Sequence, residues 1–275
     1  METQTRRVPT KLLVLTAYLV MILVNALANI LPINGLTTGD VSDSYPNLFA
    51  PAGLTFAIWG VIYLALAGYV LYQFGLFQKN RQDSLFLSEQ KIRLLFIVSS
   101  LANASWIFAW HYRLIPLTMA LMLVLLISLA AINLITRKQA YETGGKVFVR
   151  LPFAIYFGWI TVATIANVTT LLVDLEWTGA GLSEPIWTVL ILLAGLLIGW
   201  VTTVFLKSIA YGLVLVWAYT GILLKHLSAS GFDGQYPWVI VTVIGCLVLF
   251  AIALIVVVAR GRKKLNTAIR TPLNQ

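Results

Sequence analysis

Three short sets of residues carry whatever chemistry this chain has. Phe56, Trp59 and Tyr63 follow one another at i, i+3 and i+7, and Asn103, Trp106 and Trp110 repeat that spacing. Tyr156, Trp159, Ala163 and Asn167 fall at i, i+3, i+7 and i+11. At 3.6 residues per turn each set is one stripe of a helix. Such stripes present flat π faces with a few indole, amide and phenol groups. They can hold a flat apolar molecule by stacking and one or two hydrogen bonds, or they can pack helix on helix. Acid–base, nucleophilic and metal catalysis have little to work with. The sequence has no Ser-His-Asp set, carboxylate pair, glycine-rich phosphate loop or metal-ligand spacing, so no catalytic or metal-binding residue is assigned. Its two histidines, His111 and His226, are expected as polar tips at helix ends rather than as haem ligands.

The elements that position the stripes follow from composition. Of 275 residues, 60% are hydrophobic and 11% charged, against about 45–50% and 25% in ordinary soluble domains. Lipid must therefore be the solvent. Eight apolar runs of spanning length occur at about 12–33, 51–74, 92–112, 114–136, 150–173, 186–206, 208–225 and 237–259. The first begins like a secretory signal but is too long for one, and is expected to stay as a helix. With the N-terminus inside, all of the 19 Lys and Arg residues except Arg113 and Lys225 fall on the cytoplasmic side. The expected fold is thus an all-α polytopic membrane protein of eight transmembrane helices, with both termini cytoplasmic, in the cell (inner) membrane. The net charge of +9 reflects topology and attraction to anionic membrane lipid. No basic stretch is interleaved with exposed aromatics, so no nucleic-acid partner is expected. No charged residue is expected in the middle of a span, which argues against ion coupling. The lone Cys246 allows no intrachain disulfide.

At about 1.5 Å of rise per residue, Trp59 lies about 12 Å below the outer end of its helix, and Trp106 and Asn167 about 9 Å below theirs. They share one level in the outer half of the bilayer, under the 34–50 loop, which is long enough to be a lid. Tyr156 and Trp159 lie deeper, as a floor. Trp110, Tyr112, Trp177, Trp187, Tyr236 and Trp238 are expected in the outer aromatic belt. Gly195 and Gly199 form a GxxxG pair that serves either packing within the chain or a homodimer.

The block Pro51-Ala52-Gly53 with Phe56, Trp59 and Tyr63 resembles the second-helix signature of the tryptophan-rich sensory protein family (TspO, the translocator protein or peripheral benzodiazepine receptor). Leu101, Asn103, Trp106 and Trp110 resemble its third helix. Leu151-Pro152-Phe153 with Tyr156, Trp159, Ala163, Thr164 and Asn167 resembles its fifth. The similarity covers about residues 10–173, and implies a five-helix ligand-binding bundle over 1–173 followed by a three-helix extension over 174–275. It also implies a pocket for a hydrophobic small molecule such as a porphyrin, with Phe56, Trp59, Tyr63, Asn103, Trp106, Tyr156, Trp159, Ala163 and Asn167 on or near its wall. Porphyrin or haem would then be a ligand, and no cofactor is required. Slow porphyrin breakdown, implied for some relatives, would rest on the indoles as electron donors. Two functions remain in view: a receptor or sensor for a flat hydrophobic ligand, and a carrier or permease for a neutral amphipathic solute.

Overall fold

A backbone in hydrocarbon must satisfy its own N–H and C=O groups, and a helix does this within one segment. The computed structural model, which describes residues 7–31, 33–78 and 86–270, is accordingly helical. Among the described residues, eight helices are long and apolar enough to cross a membrane, the second counted with the 3-10 turn before it as Gly53–Gln73. They are α1 (Arg7–Ile30), α2 (Ile58–Gln73), α3 (Phe86–His111), α4 (Ile115–Lys138), α5 (Leu151–Asp174), α6 (Glu184–Leu206), α7 (Ile209–Leu227) and α8 (Pro237–Arg270). The chain is thus a multi-pass integral membrane protein. Arg6, Lys79, Arg81 and the end of the basic tail lie outside the described residues. The helix α1 stops at Ile30, just before Leu31-Pro32, because the residue ahead of a proline is pushed out of the helical region. Prolines at the first turns of α4, α5 and α6 do the opposite and start helices.

The central helix is α5. It packs on α2, α4, α6 and α7, and 67% of its apolar window is buried, against 28% for α1 and α8. The helices α6, α7 and α8 pack on one another. A Cβ on Gly195 would collide with Tyr219, and one on Gly199 with Leu215 and Phe250. The GxxxG face is therefore filled by α7 and α8 of the same chain.

Three expectations need correction. Arg93 does not sit at a helix end. Because α3 begins at Phe86, Arg93 lies about two turns inside, where it is buried. Its Nε donates to Gln73 Oε1 at 2.7 Å and its Nη2 pairs with Glu89 at 3.1 Å, so the charge is carried as a hydrogen-bonded pair. The histidines are not headgroup-level tips: both are fully buried. Trp110, only 5% exposed, leaves the belt for the interior.

The reason for the last two is the 34–50 segment, which is folded down onto the bundle. It contains a helical turn, Thr38–Asp43, opened by a reciprocal cap between Thr37 and Asp40. The Thr37 hydrogen bonds hold the Asp40 carboxyl below the usual carboxylate range. Trp110 Nε1 donates to Thr38 O at 3.1 Å. His111 Nδ1 donates to Ile33 O at 3.0 Å, and Thr38 Oγ1 is 3.1 Å from its Nε2. From the other side, His226 Nε2 donates to Leu48 O at 2.9 Å. Ala52 N donates to Gly221 O at 3.0 Å, and Trp217 Nε1 to Thr55 O at 2.9 Å. The loop is thus fastened by α3 at one end and by α7 at the other.

Candidate functional site

Under that loop the first two stripes and the third meet. Pro51-Ala52 is extended and Gly53–Ala57 is a 3-10 turn, so Phe56 enters the bundle just above α2. Phe56 lies edge-on to Trp159, with centroids 5.8 Å apart. Trp59 stacks on Tyr63 at 5.5 Å and meets Tyr156 and Trp159 edge-on at 5.9 and 6.1 Å. Trp106 stacks on Trp110 at 5.0 Å. The result is a cluster of rings shared by α2, α3 and α5.

Two cavities border this cluster. One, of ≈ 70 Å³, lies between α2, α3, α4 and α5 beneath the loop. Trp159, Ala163 and Asn167 line it, together with Thr38, Asn47 and Thr170, which the sequence did not single out. The other, of ≈ 480 Å³, lies between α1, α2 and α3, and is lined by Tyr63 with Asn25, Ala26 and Asn29. Phe56, Trp59 and Trp106 line both, as a common wall. A third cavity, of ≈ 510 Å³, lies on the far side of Asn47 against α5 and α6, with Trp177 and Trp187 in its lining.

The polar groups divide sharply. Trp106 Nε1 donates to Asn167 Oδ1 at 2.9 Å, and Asn167 Nδ2 to Thr118 Oγ1 at 3.0 Å. These two bonds fix the angle of the Trp106 ring. Lower down, Asn25 Nδ2 donates to Asn103 Oδ1 at 2.7 Å, and Asn103 Nδ2 to Tyr156 OH at 3.0 Å. Asn103 and Tyr156 therefore line neither cavity; they tie α1, α3 and α5 together as a floor. Trp159 differs from all of these. It is buried, and its Nε1–H has no partner among the described residues. A buried unmade donor costs about 1–3 kcal/mol, and this one sits on a residue that lines the smaller cavity.

The site is thus an aromatic wall edged by a few amides and hydroxyls, a composition suited to a flat apolar molecule with an acceptor at one edge. Asn25 is the partner that sequence reading missed: one of two amides near the end of α1, its side chain donating to Asn103 across the bundle. Asn103→Leu is expected to strand the Tyr156 hydroxyl and one Asn25 donor. Interhelical hydrogen bonds in membranes are worth about 0.6–1.7 kcal/mol each, so a loss of about 1–2 kcal/mol is expected. A lowered unfolding temperature in detergent would show it; an unchanged one would mean the chain of amides carries no stability.

The sequence model of the family described as TSPO-like protein matches residues 11–257, which reaches into all eight helices. No curated protein and no solved structure matches the chain.

Proposed function

The chain belongs to the TSPO-like protein family, and from that premise we propose that it is a receptor or sensor that binds a porphyrin-like tetrapyrrole, or a similar flat hydrophobic molecule, at the aromatic wall. Family membership suggests a membrane receptor or transporter role. One observation carries the finer reading: Phe56, Trp59 and Trp106 are shared by cavities of ≈ 480 and ≈ 70 Å³. Small-molecule sites run to about 300–1,000 Å³, so the larger cavity has the right size. Its continuation behind the wall supplies the unmade Trp159 donor. The basic helix ends face the cytoplasm in this proposal, which puts the loop and the site on the opposite side of the cell membrane.

The carrier alternative would need a polar path through α6, α7 and α8. The hydroxyls there are engaged in packing. Thr203, Thr220 and Thr242 donate to carbonyls four residues back in their own helices. Tyr211 OH donates to Thr161 Oγ1 at 3.1 Å. These contacts favour the receptor.

Titration of the detergent-solubilised full chain with protoporphyrin IX tests the proposal, read by quenching of tryptophan fluorescence and by the Soret shift. Saturable binding in the micromolar range is expected. A linear, non-saturating response would overturn the porphyrin assignment.

A further inference from the structure

A further apolar hollow lies on the other face of α2 from the aromatic wall, on the outside of the bundle. It is a groove of ≈ 370 Å³ lined by Ala57, Ile58 and Val61 of the α2 region, Leu151 and Ile155 of α5, and a strip of α7 from Ala210 to Trp217. Every lining residue is apolar apart from the indole N–H of Trp217, and that donor is already bonded to Thr55 O. Along α7 the strip rises about 10 Å, a large part of the roughly 15 Å of hydrocarbon in one leaflet. The groove therefore has the shape and polarity of an acyl chain.

What distinguishes it from any lipid-facing crevice is its lower end. Leu151 follows Arg150 directly, and its N–H donates to Lys146 O, so Lys146 lies one turn below. Arg150 Nη2 donates to Leu206 O at 3.0 Å and reaches Lys207 O at 3.5 Å. That contact brings the end of α6 and the exposed Lys207, three residues before Ala210, to the same corner. Arg150 is half-buried and makes no other hydrogen bond among the described residues, which leaves the other N–H groups of its guanidinium for a ligand. Three cations thus stand at one end of an apolar groove, at a helix end, where lipid phosphates lie.

We propose that this seam, where α7 meets α2 and α5, is a binding site for one anionic phospholipid. The acyl chain fills the groove and the headgroup phosphate is held by Lys146, Arg150 and Lys207. Charge complementarity selects the headgroup; a zwitterionic lipid offers the same chain but no net charge to the three cations. The bound lipid would close the gap between the first five helices and the last three.

Native mass spectrometry of the full chain, stripped of lipid and then titrated with phosphatidylglycerol or phosphatidylcholine, tests this. One phosphatidylglycerol is expected to be retained in clear preference to phosphatidylcholine. Each basic residue near a membrane surface is worth about fivefold in affinity, so Lys146→Gln with Lys207→Asn should weaken phosphatidylglycerol by about twentyfold and leave phosphatidylcholine unchanged. Leu213→Trp fills the groove without touching a charge, and should remove the tightly retained lipid. Leu213 is 53% exposed, so this variant is expected to fold; circular dichroism checks that it does. Equal retention of the two lipids, or undiminished retention by folded Leu213→Trp, overturns the proposal.

Discussion

Gly221→Leu is expected to cost the protein its grip on a porphyrin while leaving the eight helices in place. Gly221 lies on α7, outside the aromatic cluster, yet its carbonyl takes the Ala52 N–H at 3.0 Å. A Cβ there would fall within 2.8 Å of Thr55 Cβ and collide with the Thr55 hydroxyl. Only glycine lets the 3-10 turn Gly53–Ala57 sit this close, and that turn delivers Phe56 to the wall shared by the two cavities. A leucine must push the turn and the end of the loop outward. Overpacking of this kind costs about 1–3 kcal/mol. If most of that falls on the docked loop, porphyrin affinity drops by about tenfold to a hundredfold. The control is Gly60→Ala in α2, three residues after that turn, where an added Cβ meets nothing within 4 Å. Titration of both variants beside the parent reads the difference. Full affinity in Gly221→Leu, with a lowered unfolding temperature, would show that the site forms independently of α7.

That prediction depends on contacts no single stretch of sequence could reveal. The eight spans were legible because lipid leaves the backbone no alternative to helix, and apolar length is a local property. The stripes were legible for the same reason, since i, i+3 and i+7 fix a face whatever surrounds it. Partners across the bundle are another matter. Trp110 at a helix end reads the same whether it faces headgroups or lies under a folded loop; only the Thr38 carbonyl 3.1 Å away decides it. His226 is set near the end of α7 with nothing nearby in sequence to bond it, and Leu48 is 178 residues away. Arg93 looked peripheral because the apolar run begins beside it, at Ile92, whereas the helix begins about two turns before Arg93. For Trp110 and His226 the missing information was a long-range contact rather than a propensity. The same holds for Asn103. Spacing put it and Tyr156 on the stripes and depth put Tyr156 in the floor, but only the bonds to Asn25 and Tyr156 show that Asn103 joins it there.

The wall itself supplies the sharper test of where a ligand lies. A porphyrin cannot enter a cavity of ≈ 70 Å³, so it must lie in the ≈ 480 Å³ space or in one continuous space made when the wall opens. Trp59→Leu with Trp106→Leu removes two faces on which a macrocycle would stack in either case. Aromatic contacts contribute about 0.5–1.5 kcal/mol each beyond area burial, so a loss of about tenfold to a hundredfold in affinity is expected. Ala163→Phe then separates the two placements, because Ala163 lines only the smaller cavity. The unmade Trp159 donor belongs to that side. A ligand with an acceptor at its edge gains a hydrogen bond only by reaching across, at a buried group that otherwise has none. Ala163→Phe should therefore weaken protoporphyrin IX by about tenfold or more, although it leaves the larger cavity untouched. If it has no effect while the double tryptophan variant does, the ligand is confined to the space beside α1. Binding undiminished in the double variant would remove the aromatic wall from the function, since both rings line both cavities.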